Sequence, residues 1–295
     1  MRLILCSNIL EHKGFTDFAR DVLREHDGAW LLVCGDLLNI FPEPGEDLTG
    51  SIFYELYGDL IVDGMEELIK THFKNIEKSV FIEPLRQMFL PRGAKYEAAK
   101  LIAKERYRRL FQRISLVLEK AGLSSRMIYI PGNMDYPLLG ASLLKNHPRI
   151  HQHDQEVLKI DTIKLGGIGG IPNNSHPFRD VAEISPYEMP EAEYAKRLSE
   201  LNGADILIAH QSPSETHLLR NFLKNTPVRL LICRAPFNFT RAKDFRGQLA
   251  VAEEEGKTVI MVRPFDFPTN HYFTVDLPSK ASENFQITQH TWNFS

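Results

Sequence analysis

Apolar residues gather in short runs at 3–6, 30–34, 127–130, 163–168, 206–209, 230–233, 259–262 and 272–275. Most of these runs are four to six residues long and rich in Ile, Leu and Val, the pattern of strands buried on both faces. Several intervals between them place apolar residues at three-four spacing instead, for example 16–26 and 191–201, which predicts helices. Alternation of strand and helix predicts an α/β protein. The opening residues 1–10 turn polar too soon for a leader peptide and read as the first strand.

The segment 46–124 breaks this rhythm. Met65, Ile69, Phe73, Ile76 and Val80 follow helical spacing. So do Ala103, Tyr107, Leu110, Phe111, Ile114, Val117, Leu118 and Ala121, and Gly122 follows as a stop signal. Two or more amphipathic helices are therefore expected as an insertion, 46–124, within a single domain spanning 1–295. The second helix also carries Lys100, Lys104, Arg106, Arg108, Arg109 and Arg113. They read as a solvated face, with an anion-binding surface as the alternative.

Composition narrows the function classes. Hydrophobic residues make up 43% and charged residues 25% of the 295, enough apolar material for a sizeable core. A formal charge of −3 indicates neither nucleic acid nor an anionic membrane as a partner. No apolar run approaches the roughly 20 residues of a membrane-spanning helix. Cys6, Cys34 and Cys233 sit in or beside apolar runs without the paired spacing of zinc or disulfide frameworks. They read as reduced core thiols, and a cytoplasmic location is expected.

The strand ends carry the chemistry, because ligand sites in α/β sheets form where loops leave the carboxyl ends of strands. Ser7-Asn8 follows the first run, Gly35-Asp36-Leu37-Leu38-Asn39 the second, and Pro131-Gly132-Asn133-Met134-Asp135 the third. Further on come Gly166-Gly167-Ile168-Gly169-Gly170 and Ala209-His210-Gln211-Ser212-Pro213. A carboxylate, an amide and an imidazole on successive strand ends suit a hard or borderline divalent metal.

This order of motifs resembles the calcineurin-like metallophosphoesterases, over the whole chain apart from the helical insertion. That family's pattern is D-x-H, GD-x-x-[DN], GNH-[DE], a single His, then GH-x-H. The resemblance implies a four-layer α/β/β/α sandwich of the metallophosphoesterase type. It also implies a two-metal centre that polarises a phosphoryl oxygen and supplies the hydrolytic nucleophile.

Carried over by position, the match is partial. Asp36 falls on the bridging aspartate, Asn133 on the amide ligand and His210 on the single histidine. Asp135 falls on the acidic residue that orients the catalytic histidine, as a second-layer residue, but the histidine position itself is Met134. The D-x-H pair is Asn8 and Leu10, and the GH-x-H quartet is Cys233-Arg234-Ala235-Pro236. Leu10 and Pro236 have no donor atom for a metal, so the resemblance implies at most one divalent ion (Mn, Fe or Zn) or none. Arg234 stands where a ligand is missing, and with Asn8 and Arg263 it forms a candidate phosphate-binding set, since a guanidinium forks onto phosphate oxygens. Pairing of Arg234 or Arg263 with Asp36 or Asp266 is the alternative.

The expected function is that of a calcineurin-like phosphoesterase-family protein, a phosphoester hydrolase with a degenerate, at most mononuclear, metal centre. The alternative is a non-catalytic descendant, a pseudoenzyme that binds a phosphorylated small molecule or phosphate-like anion, or that assembles through the helical insertion as a homo-oligomer. A single-metal enzyme with a relocated general acid, His12 or His271, is a third reading. His151 and His153 resemble a missing H-x-H pair but precede the glycine-rich strand, and they read as surface residues of a connecting segment.

Overall fold

The computed structural model describes residues 1–7, 9, 14–38, 94–122, 124–172, 187–235, 250–262, 271–279 and 283–292. Asn8, Leu10, Glu11, His12, the first part of the insertion at 46–93, Pro236, Arg263 and Asp266 lie outside these residues.

The chain opens with β1 (Arg2–Ser7), α1 (Phe15–Glu25) and β2 (Trp30–Cys34). Helix α1 buries Phe15, Phe18, Ala19, Val22 and Leu23, one stripe at helical spacing. The described part of the insertion is one long helix, α2 (Ala94–Ala121), and the chain leaves it at Gly122 with φ 130°. Then follow β3 (Arg126–Ile130), α3 (Pro137–Leu144) and β4 (Ile150–Gln152). Late in the chain, β13 (His271–Asp276) and β14 (Gln286–Thr291) return to this sheet. Its order is β14-β13-β1-β2-β3-β4, with β1 to β4 parallel and β13 and β14 antiparallel at one edge.

A second sheet holds β5 (Glu156–Ile160), β6 (Ile163–Ile168), β9 (Ile206–Ala209), β10 (Leu230–Arg234), β11 (Ala250–Glu254) and β12 (Lys257–Val262). Its order is β11-β12-β10-β9-β6-β5. Between β6 and β9 run the short strands β7 (Ile171–Pro172) and β8 (Glu188–Met189) and helix α4 (Glu191–Glu200). Helix α5 (His217–Asn225) follows β9, with Thr216 capping its N-terminus by accepting from Leu218 N–H.

Leu3, Leu5, Leu32, Ile128 and Ile130 of the first sheet share one buried apolar cluster with Leu165, Ile206, Ile208, Ile232 and Ile260 of the second. The opposite faces bury separate clusters. On the first sheet α1 and α2 contribute Phe18, Val22, Tyr107, Phe111 and Leu118; on the second, α4 and α5 contribute Tyr194, Leu198, Leu219 and Leu223. Among the described residues the fold is thus mixed α/β, with two six-stranded mixed sheets and five helices.

Register brings the loops together. Ser7 pairs with Cys34 and Cys34 with Ile130, so β1, β2 and β3 end level. Ile168 pairs with Ala209 and Ala209 with Cys233 across β6, β9 and β10. The two sets of ends are tied where Gly170 N–H donates to the Pro131 carbonyl at 2.9 Å. A Cβ at Gly169 would sit 2.6 Å from that same carbonyl oxygen, which explains a glycine at this crossing.

Candidate functional site

Asp36, Asn133 and His210 meet at the level strand ends. His210 Nε2 lies 2.9 Å from Asn133 Oδ1 and 3.9 Å from Asp36 Oδ2. Asp36 Oδ1 accepts the Met134 N–H at 2.9 Å, so the carboxylate is fixed to the loop after β3. Two glycines make this approach geometrically available. A Cβ at Gly132 would fall 1.9 Å from Asp36 Oδ1 and 2.3 Å from the Asp36 nitrogen. At Gly35, with φ 95°, a Cβ would fall 1.8 Å from His210 Nδ1.

The electrostatics of the cluster are those of buried groups. Burial, joined by the charge of Asp135, pushes the Asp36 carboxyl well up, against the pull of the Met134 N–H and Arg234. Burial pushes the His210 imidazole well down, and Arg234 adds to this. His210 is therefore neutral at physiological pH and keeps a lone pair. Its Nδ1 makes no hydrogen bond of good geometry among the described residues, although the Cys34 backbone lies near enough to favour a proton on the ring.

Asp135 is the anchor beneath this cluster. It is fully buried and accepts from Gly132 N–H at 2.9 Å, Leu37 N–H at 3.1 Å, Leu38 N–H at 3.2 Å and the Tyr107 hydroxyl at 3.0 Å. Tyr107 in turn accepts from Tyr136 N–H at 2.9 Å. Asp135 therefore fixes the loops after β2 and β3 to each other and both of them to α2. Met134 is half-buried and leans on the apolar cluster under α2.

Arg234 is placed next to the site but is already engaged. Its Nη2 donates to Glu215 Oε1 at 2.8 Å and its Nη1 to the Ala235 carbonyl at 3.0 Å, leaving the side chain 12% exposed. Its buried Nε has no partner among the described residues. The second carboxylate oxygen of Glu215 accepts from Ser212 N–H at 3.0 Å, which fixes Glu215 to the loop carrying His210. The partner of Arg234 is therefore Glu215, a residue to which the sequence assigns no motif. Tyr107 is the other participant that sequence reasoning misses, since its spacing marks only a core position. Asn8 and Arg263, the other members of the expected phosphate set, lie outside the described residues.

His151 and His153 differ from the expected pair of surface residues. His151 is exposed on β4, but His153 is fully buried, with Nε2 donating to the Leu165 carbonyl at 3.1 Å. Gly167 leaves the space for its ring, since a Cβ there would fall 2.4 Å from it. Both histidines converge on Glu156. Among the described residues, this trio and the group Glu25, His26 and His290 have the spacing of His/Glu clusters that could hold a metal.

Cys6, Cys34 and Cys233 are buried free thiols, and burial pushes each one up, away from the reactive thiolate form. Among the described residues, no helix is long and apolar enough to cross a membrane.

Comparison with solved structures gives the fold. One crystal structure aligns over 99% of this chain and 99% of its own, with a TM-score of 0.63 at 12% identity. The crystal structure of TT1561 of Thermus thermophilus aligns over 98% of each chain, with a TM-score of 0.54 at 13% identity. At such identities the likeness concerns the fold alone. No protein-family model and no curated protein matches the chain.

Proposed function

We propose that this chain is a four-layer α/β/β/α sandwich of the calcineurin-like metallophosphoesterase type, whose strand-end pocket handles phosphoesters with one divalent ion at most. The observation that carries this reading is the convergence of Asp36, Asn133 and His210, with an amide oxygen and an imidazole nitrogen 2.9 Å apart and a carboxylate beside them. Two oxygen donors and one neutral imidazole suit Mn2+, Fe2+ or Zn2+. A bound ion would supply Lewis-acid polarisation of a phosphoryl oxygen and a water of lowered pKa.

The rest of the set does not suit a second ion. Leu10 and Pro236 offer no ligand atom for it, and by position Arg234 falls on the missing fourth ligand of the site that remains. Within the proposed pocket the chain's own groups divide the work. Asp36 and Asn133 present oxygens, His210 would present Nε2 once an ion displaces the proton it donates to Asn133 Oδ1, and Asp135 holds both loops in register. Arg234 supplies fixed positive charge for an anion once released from Glu215.

A second reading, a non-catalytic binder of phosphorylated small molecules, is favoured by one specific observation. Met134 has no titratable group at the leaving-group position, and its side chain rests on the core. Purified chain assayed with added manganese on a generic phosphodiester and phosphomonoester separates the two. Turnover that depends on manganese and disappears in His210→Ala supports the single-ion hydrolase. Phosphate binding without turnover supports the binder.

A further inference from the structure

The connection between the two sheets holds a second group of metal-ligand type, which shares no residue with the strand-end pocket and is independent of the function proposed for it. His151 lies on β4, the edge strand of the first sheet, and Glu156 opens β5, the edge strand of the second. His153 lies between them. Gln155, with φ 57°, turns the chain sharply enough to fold Glu156 back onto both histidines.

The hydrogen bonds define which nitrogen is free. His153 Nε2 faces the Leu165 carbonyl, which can only accept, so Nε2 carries a proton. In the neutral ring Nδ1 then presents a lone pair to Glu156 Oε1 at 3.1 Å, and that oxygen also lies 2.5 Å from His151 Nε2. A neutral imidazole and a carboxylate facing each other through lone pairs need a cation between them, whether an extra proton or a metal. A buried imidazole whose second nitrogen donates to a backbone carbonyl is the arrangement that orients a metal-ligating histidine.

We propose that His151, His153 and Glu156 bind a borderline divalent cation of the Zn2+ or Co2+ type, clipping the edge strand of one sheet to the edge strand of the other. All three donor atoms lie within 4.8 Å of one another. Tetrahedral zinc places neighbouring donors about 3.3 Å apart, from bonds of about 2.0–2.1 Å. The contact between Glu156 and His153 is already near that spacing. The one between Glu156 and His151 must open by under about 1 Å, which the exposed His151 side chain can supply. Water completes the coordination on the open side.

The test is a calorimetric Zn2+ titration of metal-free full-length chain near pH 7.5, with visible spectra after Co2+ addition. Wild type, His151→Ala, Glu156→Gln and His210→Ala are compared. The proposal expects saturable binding that weakens at least 10-fold in His151→Ala and in Glu156→Gln but persists in His210→Ala, with tetrahedral Co2+ bands following the same order. His151 is exposed, so its loss leaves the core untouched. Absence of saturable binding in wild type, or Zn2+ affinity unchanged in His151→Ala, overturns the site and leaves a protonated His–Glu–His contact. Binding lost in His210→Ala and kept in His151→Ala would assign the ion to the strand-end pocket instead.

Discussion

Tyr107 on α2 donates its hydroxyl to Asp135 Oδ1 at 3.0 Å, so a helix of the insertion is bonded to the carboxylate that orders the candidate site. The same hydroxyl accepts from Tyr136 N–H, which starts the turn into α3. Tyr107→Phe keeps the ring stacked on Phe111 but takes one donor from a buried carboxylate and an acceptor from the Tyr136 N–H. A loss of about 1–3 kcal/mol in urea unfolding is expected. Asp135→Asn, which forfeits acceptor capacity for several donors at once, should lose more than Tyr107→Phe.

The glycines at the loop crossings predict steric failure. Gly132→Ala drives a Cβ into the Asp36 backbone and carboxylate, neither of which can retreat as a flexible side-chain end could. It should destabilise by about 3 kcal/mol or more, and Gly35→Ala, strained at φ 95° and blocked by the His210 ring, by a similar amount. Gly203→Ala is the control: it shares the left-handed φ strain, at 110°, but meets nothing within 4 Å, so it should lose less. Thermal midpoints of the three variants check the order.

Asp36 gives a pH dependence of defined sign. Its carboxyl is raised from 3.8 to about 7 in the fold, chiefly by burial. Below about pH 4 it is protonated in both folded and unfolded chains and has no effect. As pH rises from 4 to 7 the unfolded chain releases the proton first, so stability falls, and above 7 the full penalty of a buried charge is present. Asp36→Asn should thus stabilise the metal-free protein by roughly 1–4 kcal/mol at pH 8, with the gain vanishing near pH 4. A gain independent of pH would mean that the carboxylate is not the titrating group.

The strands that bury both faces were legible from their short apolar runs, in which Ile, Leu and Val predominate. Runs at 30–34, 163–168 and 206–209 coincide with β2, β6 and β9. The edge strands β5 and β14 were not legible, since their outward positions are polar and exposed, as in Gln286–Thr291. At the site, Asp36, Asn133 and His210 could be read because they follow apolar runs. Glu215 and Tyr107 could not, because one has no motif and the other keeps the spacing of a core residue. The burial of His153 depends on a pairing between strands remote in sequence, which no local pattern reports.

Arg234 and Glu215 predict how the pocket should treat phosphate. The guanidinium is paired, so wild type should bind phosphate only modestly, on the order of millimolar to tens of micromolar. Arg234→Ala should abolish that binding. Glu215→Gln frees the guanidinium and should strengthen it. Phosphate-induced shifts in the thermal midpoint measure all three, and an unchanged shift in Arg234→Ala would remove the arginine from the anion site.

The central claim is that the strand-end pocket can hold one divalent ion and not two. A Mn2+ titration in the Glu156→Gln background, with bound metal measured after gel filtration, addresses it without interference from the sheet-edge histidines. At most one ion per chain is expected, weakly held, and absent from both the Asp36→Asn and His210→Ala versions. Two ions retained per chain, both dependent on Asp36, would contradict it.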